Sequence, residues 1–417
     1  MSTGIAGPHT GRVVGILLCV VPLSQVPLDI YTPAMPEMVT DLSSTSAAVQ
    51  STVTAYMLGL AVGFIPVGVL ADAWGRKRVL SVCIGVVIAA SLCCAAATTV
   101  PQLLGARFVQ GLGACACMVL SYAIAADCFR GKKLTSVSGL LGAAWGLAPV
   151  IAPAVGGVLA QFLSWRLIFV LIAIMTALVG ILVVVALPET LATADRVPVS
   201  VRDTWRSSGS IVTHPVFVCF VVVFGLMAAA QLAFGVAGPF LYQSTLGFAP
   251  AAYGVIALCV GAANLTGELA CSYLATRTTT RRLAYGAFAL FGAGTTVILA
   301  SALTIGSNAW ALTIGAGLAL AGCGILCPQM YGLAMGLFTK NLGLVGGIAT
   351  AASYLIVSVA LTLVGALPET SPAPLGWLYA GCGLIGVLLL GWATSSRRHR
   401  EYPPARNSPR TTDPQRV

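Results

Sequence analysis

Gly68-Val-Leu-Ala-Asp72-Ala-Trp-Gly75-Arg76-Lys77-Arg78 joins two long apolar runs, 47–70 and 79–97, and its reading decides the fold. Apolar runs of about 20 residues flanking a strongly basic turn are what two membrane-crossing helices leave on one side of a bilayer. Gly68 removes a side chain where another helix can approach. Asp72 lies one turn further along the same face, close enough to the basic turn to form a charge-assisted latch. Topogenic charge alone accounts for Arg76, Lys77 and Arg78 but leaves Gly68, Gly75 and Asp72 without a reason.

The rest of the chain has the same character. Of its 417 residues 58% are hydrophobic and only 8% are charged, against about 25% charged in an average soluble protein. Mean hydropathy is +0.94. Too few ionic side chains remain to coat a water-facing surface, which excludes a soluble enzyme, a disordered chain and a disulfide-stapled domain. The formal charge of +10 does not indicate a nucleic-acid face, because the cations are dealt out between apolar runs rather than gathered on one surface. The 13 cysteines lie mostly inside or at the edges of those runs and read as small membrane hydrophobes. Cys323 and Cys327 lack a metal-ligand spacing, and neither a metal nor a cofactor is expected. No phosphate-binding loop points to direct ATP drive.

Twelve runs qualify as spans: 13–31, 47–70, 79–97, 103–126, 135–160, 166–187, 215–242, 251–274, 283–303, 308–330, 342–365 and 375–393. Lys and Arg concentrate after the even-numbered runs and in the tail, as in Arg130, Lys132 and Lys133 or Arg277, Arg281 and Arg282. The odd-numbered exits hold little beyond Glu37, Asp41, Glu369 and Arg166. The positive-inside rule then places both termini in the cytoplasm. The expected organisation is an N-terminal six-helix bundle (1–190), a cytoplasmic linker (191–213), a C-terminal six-helix bundle (214–394) and a basic, disordered tail (395–417). Gly68-x3-Asp72 has a faint echo in Gly267-x3-Cys271, where the carboxylate is lost. Leu-Pro-Glu-Thr at 187–190 recurs at 367–370, but the offset disagrees with that between the halves, so the recurrence reads as coincidence.

The stretch at 68–78 resembles the loop 2–3 signature of the major facilitator superfamily, G-x-x-x-D-x-x-G-R-[KR]. Arg107-Phe-Val-Gln110-Gly111-Leu-Gly113 resembles the R-x-x-Q-G-x-G motif of the twelve-span drug:proton antiporter branch. Gly146-Leu-Ala-Pro149-Val-Ile-Ala-Pro153-Ala-Val-Gly156-Gly157 resembles its antiporter motif, with Ala148 in place of a glycine. Leu28-Asp29-Ile-Tyr31-Thr-Pro33-Ala-Met-Pro36 looks most like the bicyclomycin-resistance (Bcr/CflA) group. The resemblance implies an all-α polytopic membrane protein, two six-helix bundles working by alternating access, and a monomer in the cytoplasmic (inner) membrane. It further implies export of small amphipathic compounds or drugs in exchange for protons. A dedicated metabolite or amino-acid transporter of the same fold is the alternative, and a channel lacks support from filter-like loops.

Three charges fall within the runs, where ionisable groups mark functional sites. Arg107 and Asp29 come to similar depth by the helical rise, and we expect them to be electrostatically coupled, directly or through substrate. A proton or a cationic substrate on Asp29 would change that coupling; the other reading makes Asp29 a wet helix-end residue. Glu268 shares a face with Gly254 and Gly261 at seven-residue spacing. It reads as a second proton site, a gate pairing with a basic loop residue, or a snorkelling side chain. Gln25, Gln110, Tyr122 and Asn264 are candidates to line a cavity. Asp127 either joins the latch or is a surface charge. Gly146, Pro149, Pro153 and Gly157 form a small-residue stripe expected to pack against the eighth span.

Overall fold

The computed structural model describes residues 9–193, 196, 209, 211–304, 306–338, 342–365 and 371–395. The expected tail, most of the linker, Lys340 and the second Leu-Pro-Glu-Thr lie outside them. Among the described residues, twelve helices are long and apolar enough to cross a membrane. They are α1 (Gly11–Asp41), α2 (Ser46–Trp74), α3 (Arg76–Ala96), α4 (Val100–Cys128), α5 (Gly131–Phe162), α6 (Trp165–Ala186), α7 (Pro215–Thr245), α8 (Pro250–Leu274), α9 (Thr280–Thr304), α10 (Ala309–Met335), α11 (Leu342–Gly365) and α12 (Ala373–Ala393).

The helices start where local chemistry tells them to. Thr45 and Asn308 accept from the backbone N–H groups of Ala48 and Ala311, at 3.2 and 3.1 Å. Pro101, Pro215 and Pro250 occupy first-turn positions, where a missing N–H costs nothing. Within the spans hydroxyls bond carbonyls one turn back, as Ser91 does to Val87 and Thr295 to Phe291. Polar groups are thereby satisfied internally, as lipid requires. Phe162, Val185 and Trp310 stand more than 70% exposed, on the surface that hydrocarbon would cover.

Span α1 corrects the expectation of a helix ending near residue 31. Pro22, Pro27, Pro33 and Pro36 break it into short helical and 3-10 pieces, and the last piece, Met35–Asp41, carries the span ten residues further. Glu37 and Asp41 are therefore helical residues rather than loop residues. Asp41 receives the Nε1–H of Trp165 at 2.9 Å and pairs with Arg166.

Helix pairing repeats between the halves. In the first, α2 packs on α4, α3 on α4 and α3 on α6; in the second, α8 packs on α10, α9 on α10 and α9 on α12. The two six-helix bundles meet through α5 with α8 and α2 with α11, pairings that a two-fold exchange of the halves interconverts. This is the parallel-repeat plan of secondary transporters.

The meeting is closed at one end only. A methyl group on Gly157 would come 2.6 Å from the Pro250 carbonyl, and one on Gly254 would come 3.1 Å from that of Ala154. Further along, Gly261 lies against Val150 and Gly146 against Glu268, at 3.1 and 3.4 Å on the same measure, while Gly139 has nothing within 4 Å. Helices α2 and α11 diverge in the same sense: Gly365 abuts Gln50, whereas Gly347 meets nothing within 4 Å. Gln243 Nε2 donates to the Pro33 carbonyl at 2.8 Å across the closed end. The space between the halves opens toward the basic turns.

Candidate functional site

Arg107 is fully buried. Its guanidinium carbon lies 4.4 Å from the ring centres of both Tyr31 and Tyr56, and 5.7 Å from that of Phe169. Nη1 donates to the Pro27 carbonyl at 2.9 Å and to Gln110 Oε1 at 2.5 Å; Nε makes a long 3.5 Å contact with the Thr52 carbonyl. Burying an Arg in a span costs about 3 kcal/mol on insertion scales. Two stacked rings at about 1 kcal/mol each, with two charge-assisted hydrogen bonds at about 2 kcal/mol each, offset that cost. Gln110 passes the connection on to Ser91 of α3 at 2.7 Å. The rings are themselves pinned, Tyr31 by Thr52 and Tyr56 by the Ser24 carbonyl, at 2.7 and 2.8 Å. Arg107 thus ties α1, α2, α4 and α6 directly and α3 through Gln110. Nη2 remains a buried donor without a partner.

Asp29 is 6% exposed, so it is not a wet helix end. It closes the short helical piece Val26–Asp29, and Gln25 Nε2 donates to its Oδ2 at 2.9 Å. No ion pair joins it to Arg107: the break in α1 presents the Pro27 carbonyl to the guanidinium, and the tyrosine rings take both faces. Of the two expected forms of coupling, directly or through substrate, a direct ion pair is not made.

The α5–α8 seam holds the third span charge. Glu268 is half-buried and receives Asn264 Nδ2 at 3.1 Å. It faces Gly146, and among the described residues it has no cation within ion-pair distance, so the gate with a basic residue is not made here. Pro149 and Pro153 lie inside the continuous helix α5, and the Pro153 carbonyl packs against Gly254. Tyr122 is half-buried, with its hydroxyl 3.5 Å from where a Gly142 side chain would begin. The structure brings Gln25 to Asp29, Gln110 to Arg107 and Asn264 to Glu268; it does not bring Glu268 to the first two.

The basic turn is cross-braced. Arg76 pairs with Asp72 at 2.6 Å and with Asp127 of α4 at 3.2 Å, so Asp127 is an ion-pair partner of the turn rather than a lone surface charge. Gly75 has φ +102°, a region that disfavours side chains. Gly68 differs from expectation: a side chain there would touch only Val119, at 4.0 Å, because the halves are apart at this end.

A residue that sequence reasoning passed over completes the brace. Glu189, in the first Leu-Pro-Glu-Thr, accepts from the backbone N–H groups of Arg76 and Lys77 at 2.9 and 3.2 Å. Its carboxylate satisfies the exposed N-terminus of α3 and its dipole. Thr190 donates to Asp127 at 3.2 Å. The available signal was a carboxylate just past an apolar run, on the same side as a turn rich in cations.

The Major Facilitator Superfamily profile matches residues 17–242, more than half the chain. The chain belongs to this superfamily. The uncharacterized MFS-type transporter YdgK of Bacillus subtilis (strain 168) is 30% identical over 92% of this chain and 94% of its own. Multidrug resistance protein MdtL of Salmonella typhimurium is 27% identical over 90% and 94%. Among solved structures, a D-xylose-proton symporter superposes with TM-score 0.71 at 16% identity, covering 92% of this chain and 97% of its own. A bacterial homolog of the human lysosomal transporter Spinster, inward-facing and unoccupied, gives 0.70 at 15%, covering 95% and 98%. These likenesses show the fold. As a facilitator-superfamily member with twelve apolar helices, the protein is a multi-pass membrane transporter of small molecules rather than an enzyme.

Proposed function

We propose that this transporter exports small amphipathic compounds in exchange for protons, as a member of the drug:proton antiporter branch nearest the Bcr/CflA group. The basic turns and both termini lie in the cytoplasm, and the protein works as a monomer in the cytoplasmic membrane. The units that rock against each other are 1–190 and 214–394, joined by the linker 191–213.

One observation carries this reading. Asp29 is a carboxylate deep in a span, bonded to one amide and paired with no cation, beside an Arg whose own contacts are made elsewhere. Such a group is free to take up and release a proton or a cationic cargo at modest cost, whereas a tight Asp–Arg pair would hold it charged. Arg107 is the fixed positive charge that favours release, held by its cage at constant position. The α1 segment that carries Asp29 reaches the second bundle at the closed end, where Gln243 donates to the Pro33 carbonyl, so a change in charge on Asp29 falls beside the seam that must open. Opening toward the basic turns supports loading from the cytoplasm.

The direct test is a resistance panel in cells lacking their own exporters, with the wild-type gene, Asp29→Asn, Arg107→Ala or no gene. The expected outcome is raised tolerance to several unrelated amphipathic compounds with the wild type, lost in both variants at equal membrane abundance. Tolerance to none of them, or full tolerance with Asp29→Asn, contradicts the reading.

A further inference from the structure

We propose that Glu268 and Asn264 form a second recognition site, on the seam of α5, α8 and α10, that takes the protonated amine of a cationic cargo. The inference deepens the preceding reading, and rests on it, by assigning a ligand group to a place apart from Asp29.

The site is built from backbone outward. A side chain on Gly324 of α10 would strike the Asn264 carbonyl and come 3.1 Å from the Glu268 nitrogen. Gly267 stands in the same way against the Ala321 carbonyl. Helices α8 and α10 therefore touch main chain to main chain at residues 264–268, which fixes where both side chains begin. Across the seam, Gly146 of α5 presents no side chain, and Glu268 Oε2 occupies the space in front of it.

Both unpaired functions of this pair are acceptors. Asn264 is 3% exposed; its Nδ2 is spent on Glu268, and its Oδ1 is a buried acceptor without a partner. The second carboxylate oxygen has no hydrogen-bond donor among the described residues either. The titratable neighbours are Cys271 on the same helix and Cys327 on α10, neither of which brings positive charge. A carboxylate within a span is expensive until a cation or a proton meets it, and a buried amide oxygen lacks a donor until an N–H reaches it. A protonated amine supplies the charge and two or three N–H donors at once, one for Glu268 and one for Asn264 Oδ1. A proton alone would neutralise Glu268 but bring a single donor to two acceptors.

Position gives the site its use. It lies where the halves begin to part, between the tight Gly157–Gly254 contact and the open basic end. A cargo entering from the basic side meets Glu268 before Asp29.

The test is equilibrium binding to the purified full-length protein, so it does not depend on proton coupling. The probes are doxorubicin, propranolol and dodecylamine, each a protonated amine, against neutral chloramphenicol. For Glu268→Gln the affinity ratio of amines to chloramphenicol should fall about tenfold. Asn264→Leu should lower it less, and Asn264→Asp, which adds a carboxylate, should raise it. Glu268→Asp should retain most of the preference, which separates charge from folding. Absence of saturable binding of all three amines, or an equal loss for amines and chloramphenicol in Glu268→Gln, overturns the proposal. So does a variant that changes only the pH at which transport is half-maximal, which assigns Glu268 to a proton. If the amines bind as expected but no proton exchange accompanies transport, the proposed antiport fails while this site stands.

Discussion

The two basic turns that follow α2 and α8 occupy equivalent places in the repeat, yet they are built from different chemistry. After α2, Arg76 is held by Asp72 and Asp127, and Glu189 and Thr190 bring in the end of α6. After α8, Cys271 stands where a carboxylate would be. Arg277 and Arg281 lie on the rings of Tyr273 and Tyr285, at 4.1 and 5.6 Å. The link there from α10 is neutral, Gln329 Nε2 to the Thr280 carbonyl at 2.8 Å. Among the described residues, one bundle is ionically braced at its basic end and the other is not. A brace of partly exposed charges can be broken and remade as the halves rock, because such pairs contribute little each. Its value lies in geometry: five side chains tie α2, α3, α4 and the segment after α6 together.

That comparison can be broken from its strong side first. Arg76→Ala removes both ion pairs at once, and we expect transport velocity to fall about tenfold, which corresponds to about 1.4 kcal/mol, with cargo affinity changed much less. Initial-rate measurement at saturating cargo checks it. Glu189→Gln keeps the shape but weakens the charge at the α3 N-terminus, and a loss of about threefold follows from a helix-end charge of 0.3–1 kcal/mol. Gly75→Ala forces a side chain into a left-handed backbone against Glu189 Oε2, 2.5 Å away on the ideal geometry, and should be as damaging as Glu189→Gln or worse. Arg277→Ala, on the neutral side, should change velocity by about twofold, the low end of the scale of an exposed cation–ring contact. A large loss there would mean that the second turn is also a brace.

The smallest effect concerns the entry to the second bundle. His214 Nδ1 accepts the Phe217 N–H at 3.2 Å and caps α7. Burial holds the imidazole pKa below its ordinary value. The neutral form is the one the fold prefers, so its contribution is intact above the ordinary histidine range and is lost as pH falls through the lowered folded-state pKa. Melting of the purified protein should drop slightly on acidification, and His214→Asn, a competent cap, should remove that slope.

How much the chain declares in advance depends on whether the information is local. Twelve spans are legible because each is its own run of apolar residues, and observed ends fall within a few residues of the expected ones. The Asp72–Arg76 pair is legible because it is one helical turn long. Span α1 is misread at its end because Pro33 and Pro36 follow the expected end at residue 31, whereas short helical and 3-10 pieces carry the chain onward to Asp41. The Arg107 cage escapes because its rings come from residues 31, 56 and 169, and only the packed bundle makes them neighbours. Glu189 escapes for the same reason, 113 residues from the N–H it accepts. The candidate pairs Gln25–Asp29 and Asn264–Glu268 were within reach, since each is an amide four residues before its carboxylate on one helix.

The carboxylate of Asp29, not ion-paired but beside a caged Arg107, exchanges protons for cargo. This exchange is tested most directly by purified protein in sealed vesicles with a pH-sensitive dye inside and no other pump. Adding transported cargo to wild-type vesicles should move protons opposite to the cargo, while Asp29→Asn vesicles move cargo only down its own gradient with no dye response. An unchanged proton signal in Asp29→Asn, or cargo movement in the wild type with no proton signal at any gradient, would contradict the account.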